Sequence, residues 1–460
     1  MIMDLDPNTW IFRAILIALL LAINFFLKIK TFRAPIDFDT ASHLYFAFLR
    51  YHNVPFISSY RFGIKYLLPR MYTLLGGWLE RDPYRFRVVN LVSSSLILIL
   101  WVLSDPLIIL SEIPFYFLGL LLINSLWINY LTSASEFHSV VLVIILILLT
   151  KFNSFHFIWI IQIRILMILI GGFKLVNAAY VIPVLCFNGT DTIEYKYWII
   201  FGLTLLGLYT LWGLRSTYSL KKQYIATRRW FSTKHLKFIL INPHFLVVVV
   251  VLGIGNILWT SWEWIILELV VWVIFIAQRN YLTYFFYPPL VLGMFIAFQT
   301  NWLEYIPTTW SWSIVLGVFV GHTVLSIMLL SPREIDIRFR EWICLQKWRS
   351  YLDHRDRQIE WLQRHLDRAE NVYLWGSNVV LLLLARLIHS PNTFYNHNHL
   401  FYWSVIEDKK DYAVNYVLYQ KPKYIVESAV MNEMKFKVED VENLYHLLGT
   451  VGEMSVYERF

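Results

Sequence analysis

Apolar residues occur along this chain in long runs that short polar segments separate. A helix needs about 20 mostly apolar residues to span a bilayer. Runs near this length predict roughly eleven spanning helices, at residues 10–27, 88–104, 106–124, 138–150, 156–172, 175–188, 197–214, 243–260, 262–277, 281–299 and 309–330. Lys28, Lys30 and Arg33 follow the first run in place of a small-residue cleavage site, which favours a retained anchor over a signal peptide.

Two regions depart from this pattern. Residues 31–87 mix charged and aromatic residues with apolar ones at helical spacing, which predicts a long first extracytoplasmic loop of amphipathic helices lying at the interface. After residue 331 the chain becomes rich in Arg, Asp and Glu, and short strands are predicted at Val372–Trp375, Lys423–Glu427 and Ser455–Arg459. We therefore expect a transmembrane domain at 1–331 and a small water-exposed α/β domain at 332–460.

Composition supports an α-helical polytopic membrane protein. The chain is 58% hydrophobic and 16% charged, whereas soluble domains are roughly 45–50% apolar and about 25% charged. The net charge of +8 is what Lys and Arg at lipid headgroups produce, so membrane lipids are expected partners and nucleic acid is not. Two cysteines, Cys186 and Cys344, are too few for a disulfide framework or a zinc site.

Ionisable residues cluster just past the first apolar run, in Pro35-Ile-Asp37-Phe-Asp39-Thr-Ala-Ser-His43. Such groups are costly near a membrane unless they are solvated or paired, so they mark a candidate site. In a helix starting near Asp39, the side chains of Asp39 and His43 share one face. A carboxylate there can take a proton from an acceptor, or Asp37 and Asp39 can together hold a divalent metal ion. The competing interpretation is that either aspartate only caps the following helix.

Short motifs along nearly the whole chain resemble one family in the same order. They are Asp39 with Ala47-Phe-Leu49-Arg50 and Asn53-Val-Pro55-Phe56, Gly63-Ile-Lys65-Tyr-Leu-Leu-Pro69, Arg85-Phe-Arg87-Val-Val-Asn90, Gly171-Gly172-Phe-Lys174, Arg279-Asn-Tyr281 with Pro288-Pro289, Val372-Tyr-Leu-Trp375-Gly376 and Lys421-Pro422-Lys423-Tyr424-Ile-Val426. On these residues the chain resembles the membrane glycosyltransferases of the C-type (GT-C) fold. The likeness is to the group of protein O-mannosyltransferases and aminoarabinose transferases, which use polyprenyl-phosphate sugars.

The resemblance implies inverting transfer of a sugar from a polyprenyl-phosphate donor to a lipid, glycan or protein acceptor, at the outer face of a bacterial plasma membrane. Asp39 matches the catalytic aspartate by its spacing to Ala47. Thr40 stands where many relatives have Glu, so Asp37 stays the second candidate. The remaining implied residues are Lys65, Arg61 and Arg279 for the donor phosphate, and His43, Glu136, His138 and Lys174 as cavity lining. No cofactor follows with certainty, and a divalent metal ion stays open.

Other readings of the same residues remain. Lys and Arg near span ends commonly reach toward headgroups, and the basic stretch 215–237 is most simply a solvated loop whose side of the membrane stays open. His397 and His399 have no carboxylate or cysteine nearby, which argues against a metal site.

A transporter or flippase, or a polymerase or ligase of lipid-linked glycans, would use similar substrates. Charge is concentrated in the first loop and the tail, which favours the transferase.

Overall fold

The computed structural model describes residues 7–30, 32, 36, 38–54, 67–124, 135–151, 165–166, 169–170, 180, 243–278, 287–329, 345–367, 372–376, 378–388, 409–428 and 435–460. This part of the chain is mostly helical. Its helices up to residue 329 are α1 (Pro7–Lys30), α2 (Phe38–Tyr51), α3 (Leu67–Leu74), α4 (Gly76–Arg81), α5 (Phe86–Ser104), α6 (Ile113–Ile123), α7 (Ser135–Lys151), α8 (Pro243–Trp259), α9 (Trp262–Gln278), α10 (Tyr287–Thr300) and α11 (Thr308–Leu329). Short 3₁₀ turns at Pro83–Arg85 and Trp302–Tyr305 precede α5 and α11.

The last part of the described chain, residues 345–460, combines helices with one sheet, and we call it the C-terminal region. Its elements are α12 (Leu345–His365), β1 (Val372–Gly376), α13 (Val379–Ala385), α14 (Lys409–Gln420), β2 (Tyr424–Ser428), a 3₁₀ turn (Val438–Val441), β3 (Tyr445–Val451) and β4 (Met454–Arg459). The strand order is β1-β2-β4-β3, with β1 and β2 parallel and the other two pairs antiparallel. β1, β2 and β4 fall where strands are predicted.

Two helices among the described residues are long and apolar enough to cross a membrane, at Thr9–Ile29 and Pro83–Ser104. The expected polytopic arrangement of roughly eleven spans is therefore not supported. Apolar helices at Ile113–Ile123, His138–Leu148 and Val248–Trp259 are shorter. The predicted runs 156–172, 175–188 and 197–214 lie almost entirely outside the described residues.

The predicted run 106–124 does not form one continuous helix. Residues 105–112 form a turn, and α6 covers only Ile113–Ile123. A helix of that length rises about 16 Å at 1.5 Å per residue, which is roughly half of a bilayer core. The turn is polar because it contains Asp105, directly before this run, and Glu112, within it.

An apolar core joins α1 with the helices from α5 to α11. Leu20, Trp101, Tyr116 and Phe295 are fully buried within it. Trp101 donates from Nε1 to the carbonyl of Val291 at 3.3 Å, which ties α5 to α10. These helices form one bundle rather than separate hairpins.

A second apolar core joins the beginning and the end of the chain. Leu44 and Tyr72 of the first loop share it with Leu382 of α13 and Val426 of β2. The predicted interfacial helix α2 is consequently buried, packed against α3 and α13. We refer to α2, α3 and α4 together as the first-loop helices.

The sheet is covered on both faces because its strands alternate between two cores. Val372 and Leu374 face the core shared with the first-loop helices, whereas Tyr373 and Trp375 face a separate core with α14. This alternation is the two-residue period of a strand. One face of the sheet is thus connected, through α12 and α13, to the first-loop helices.

Candidate functional site

The candidate site begins at the amino end of α2. The helix begins at Phe38, so Asp39 is its second residue, and this agrees with the predicted helix start near Asp39. A carboxylate in the first turn is favoured by the partial positive charge of the helix amino end. Asp37 and the side chain of Asp39 lie outside the described residues, so the choice between them stays a prediction.

Polar side chains in the first two turns of α2 are buried. Thr40 is 0% exposed, Ser42 3% and His43 5%. Buried polar groups in proteins are almost always hydrogen-bonded, so this end of α2 is a polar environment enclosed by protein. His43, predicted to line a cavity, lies inside this environment.

Two buried cations lie where the first-loop helices meet the bundle. Lys28, at the end of α1, and Arg87, at the start of α5, are each 8% exposed. Arg87 donates from Nη1 to the carbonyl of Phe32 at 3.2 Å, which holds it beside the segment leading into α2. Lys and Arg side chains are the residues that bind phosphate oxygens through charge-assisted hydrogen bonds.

Tyr84 connects Arg87 to the C-terminal region. Its ring centroid is 5.9 Å from Cζ of Arg87 and 5.5 Å from Cζ of Arg355, on α12. Arg355 also donates a hydrogen bond from Nη1 to the Tyr84 hydroxyl. An aromatic ring attracts cations over its face, so Tyr84 stabilises both guanidinium groups.

The other predicted residues are not brought together among the described residues. Glu136 is the second residue of α7 with its side chain undescribed, and His138 is buried with Nδ1 3.0 Å from Ser93 Oγ. The remaining predicted positions Arg61, Lys65, Lys174 and Arg279 lie outside the described residues, as do His397 and His399, where no metal site is expected. The described part of the chain contains no group of three or more His, Cys, Asp or Glu side chains placed to hold a metal ion.

Sequence reasoning missed a second buried polar cluster, in the turn between α5 and α6. Asp105 accepts hydrogen bonds from the Tyr116 hydroxyl at 2.6 Å and from the Leu107 N–H at 3.0 Å. Arg13 donates to main-chain carbonyls, among them those of Val102 at 3.2 Å and Asp105 at 2.7 Å, and so caps the end of α5.

Glu112 faces Asp105 in this turn and is fully buried. Its Oε2 accepts from the Ile109 N–H at 3.3 Å. Burial raises the pKa of Glu112, and the negative charge of Asp105 raises it further. Burial also raises the pKa of Asp105, although the Tyr116 hydroxyl opposes that shift. Glu112 is therefore the member of the pair that carries a proton at neutral pH.

Comparison of the chain with protein-family models, with curated proteins and with solved structures gave no match. The assignment of function therefore rests on the residues and their geometry.

Proposed function

We propose that the chain is an integral membrane glycosyltransferase of the C-type fold. It transfers a sugar from a polyprenyl-phosphate donor to a lipid, glycan or protein acceptor at the outer face of the membrane. Asp39, with Asp37 as the alternative, acts as the base that takes the proton of the acceptor group. The observation that carries the proposal is the burial of two cationic side chains, Lys28 and Arg87, of which Arg87 lies beside the segment that leads into α2.

Exposed apolar side chains support placement in a membrane. Along α1, Ile11 is 58% exposed, Ile15 60% and Phe26 56%. On α8, Leu258 is 64% exposed. Apolar surface of this extent needs a cover, and lipid provides one. Further spans in the undescribed stretches, up to the roughly eleven of the sequence pattern, belong to this proposal.

The buried cations support the donor class. Lys and Arg bind phosphate through charge-assisted hydrogen bonds, and their burial next to an apolar bundle suits a phosphate attached to a lipid chain. Their charges stabilise the phosphate that leaves when the sugar is transferred. Lys65, Arg61 and Arg279 remain candidates for the same role. A divalent metal at Asp37 and Asp39 remains an open part of the proposal.

The Asp105–Glu112 turn fits the side of the membrane opposite to the first-loop helices. α5 begins beside the first-loop helices and ends at Ser104, directly before Asp105, so its length separates the two polar regions. We place the first-loop helices and the C-terminal region outside the cell and the Asp105–Glu112 turn at the cytoplasmic end of α5.

The proposal is tested by a transfer assay on purified protein in lipid nanodiscs, with radiolabelled polyprenyl-phosphate sugars and a panel of lipid, glycan and peptide acceptors. Wild type should form labelled product. Asp39→Asn should abolish product while the thermal unfolding curve stays unchanged, and Asp37→Asn is assayed beside it. Full activity in both variants, or no donor consumption by wild type, contradicts the proposal. In the second case, movement of the intact lipid-linked sugar across the bilayer would indicate a flippase.

A further inference from the structure

Three helix connections meet at the end of the bundle that holds the Asp105–Glu112 turn. Asn301, in the connection between α10 and α11, donates from Nδ2 to the Leu107 carbonyl of that turn at 2.9 Å. The next residue, Trp302, stacks on Trp259 at the end of α8, with ring centroids 5.4 Å apart. The connections α5–α6, α8–α9 and α10–α11 therefore lie side by side.

Large apolar side chains are exposed on or directly beside all three connections, where a water-facing turn would be polar. Each of these side chains is at least half exposed: Leu107, Leu110, Trp259, Trp262, Tyr305, Trp310 and Trp312. Trp10 of α1 is partly exposed at the same end, because Arg13, one turn further along, reaches the Asp105 carbonyl. We call these side chains the aromatic belt.

The aromatic belt extends over neighbouring helices. α9 contacts α8, α8 contacts α11, α11 contacts α6, and α6 contacts α1. Each of these helices carries or adjoins at least one side chain of the belt. A bilayer surrounds a bundle in this way, whereas a single partner protein covers one side of it.

The chemistry of this end fits the boundary between lipid headgroups and acyl chains. Trp and Tyr are enriched at membrane–water interfaces, because their rings are apolar while their N–H or O–H groups form hydrogen bonds. Residues 259–263 and 300–312 contain two acidic residues, Glu263 and Glu304, and no Lys or Arg. Further along α8 and α11 the exposed side chains become aliphatic, as at Ile254 and Leu316. This change from aromatic to aliphatic side chains is the order expected from the headgroups toward the acyl chains.

We propose that the aromatic belt contacts lipid at the headgroup–acyl boundary of the bilayer, an inference that rests on the membrane placement in the proposed function and not on sugar transfer. The exposed apolar side chains of the three connections are then covered by lipid. The Asp105–Glu112 turn lies at the depth of the headgroups, because it adjoins the same connections.

Depth in the bilayer is measured on the full chain in nanodiscs of phosphatidylethanolamine and phosphatidylglycerol, by EPR of single nitroxide labels. The labels are attached at Trp262→Cys and Trp310→Cys, in a protein whose Cys186 and Cys344 are replaced by Ser. Relaxation by oxygen, which concentrates among acyl chains, is compared with relaxation by a water-soluble nickel chelate. Thermal unfolding checks each labelled protein, and Tyr305→Cys replaces a variant that does not fold.

Two exposed positions serve as controls. Leu316→Cys lies six residues after Trp310, about 9 Å further along α11 at 1.5 Å per residue, and reports on the acyl region. Arg357→Cys, on the exposed side of α12, reports on water. Labels at Trp262 and Trp310 should be relaxed by oxygen more than the label at Arg357 and less than the label at Leu316. Their relaxation by the nickel chelate should follow the reverse order.

Three results would overturn the inference. Labels at Trp262 and Trp310 that match Arg357 place this end in water, and labels that match Leu316 place it deep among acyl chains. Protection from both reagents shows that a second copy of the chain covers the belt. If Leu316 is accessible to oxygen in these cases, the membrane placement stands without the belt. A Leu316 label that matches Arg357 refutes the membrane placement itself.

Discussion

The Arg355 guanidinium donates a hydrogen bond to the Tyr84 hydroxyl, across 271 residues of sequence. Both side chains are buried, Tyr84 at 4% exposure and Arg355 at 7%. Together with the bond from the Tyr45 hydroxyl to the Leu387 carbonyl at 2.7 Å, it fastens the C-terminal region to the first-loop helices. The position of the C-terminal region against the first-loop helices depends on this attachment.

Loss of the Tyr84 hydroxyl should weaken the attachment. Tyr84→Phe keeps the ring near both guanidinium groups but leaves Arg355 without this acceptor, at a cost of about 1–3 kcal/mol in the free energy of unfolding. Thermal unfolding and limited proteolysis of the purified protein should both show the loss. Arg357→Gln, on the exposed side of α12, is the matched control and should change neither. Equal stability of Tyr84→Phe and wild type would show that the bond contributes nothing to docking.

Removal of either buried cation should weaken donor binding. Lys28→Gln and Arg87→Gln should raise the KM for the polyprenyl-phosphate donor by about 10- to 100-fold, because each removes a charge-assisted contact to phosphate. Arg85→Gln removes a neighbouring charge whose Nη1 instead donates to the Trp78 carbonyl, and it should leave the KM unchanged. Steady-state assays at varied donor concentration measure this. An unchanged KM in both test variants would remove these residues from the donor site.

The Asp105–Glu112 turn should make stability depend on pH. The folded-state pKa of Glu112 is raised above its unfolded value, so its contribution to stability is fully present below the unfolded pKa of about 4.3 and is lost as pH rises through the raised pKa. The melting temperature should therefore fall between about pH 5 and about pH 9. Glu112→Gln mimics the protonated form and should flatten this dependence. Parallel curves for the two proteins would show that Glu112 is not the group responsible.

Two helix glycines should respond oppositely to alanine. A Cβ at Gly255 would lie 2.4 Å from the Trp302 ring, whose Nε1 donates to Asn256 Oδ1 at 2.8 Å, so Gly255→Ala should destabilise the bundle by about 1–3 kcal/mol. A Cβ at Gly317 would meet nothing within 4 Å. Gly317→Ala should be neutral or stabilise by up to about 1 kcal/mol, because alanine favours the helix. Unfolding curves of the two variants in one detergent compare them directly, and destabilisation of equal size would contradict the packing at Trp302.

Local pattern was enough to predict several elements. The apolar run after residue 10 appears as α1, the helix after the acidic segment as α2, and the short β-rich runs as β1, β2 and β4. β3 was missed because the stretch Tyr445–Val451 contains Gly449 and an irregular register between Leu447 and Gly449, which disturb the two-residue alternation. A rule based on two-residue alternation does not detect a strand that contains such an interruption.

The polar sites could not be predicted because they are assembled over long sequence separations. Arg13 and Asp105 are 92 residues apart, and Arg355 and Tyr84 are 271 apart. In the sequence, Lys28 and Arg87 resemble ordinary cations that face lipid headgroups, and only the folded structure shows that both are buried. Among the described residues the count of spans is not supported, in part because polar turns such as 105–112 interrupt runs that are apolar on average.

The core shared by the first-loop helices and the C-terminal region also constrains the order of events during synthesis. Leu44 and Tyr45 are translated about 340 residues before Leu382 and Leu387, their counterparts in the C-terminal region. At ribosomal speed this interval is roughly 17–70 s, far longer than a helix needs to form. The apolar face of α2 therefore lacks its C-terminal packing partners while the intervening helices are synthesised. During this time a chaperone or the membrane surface must bind it.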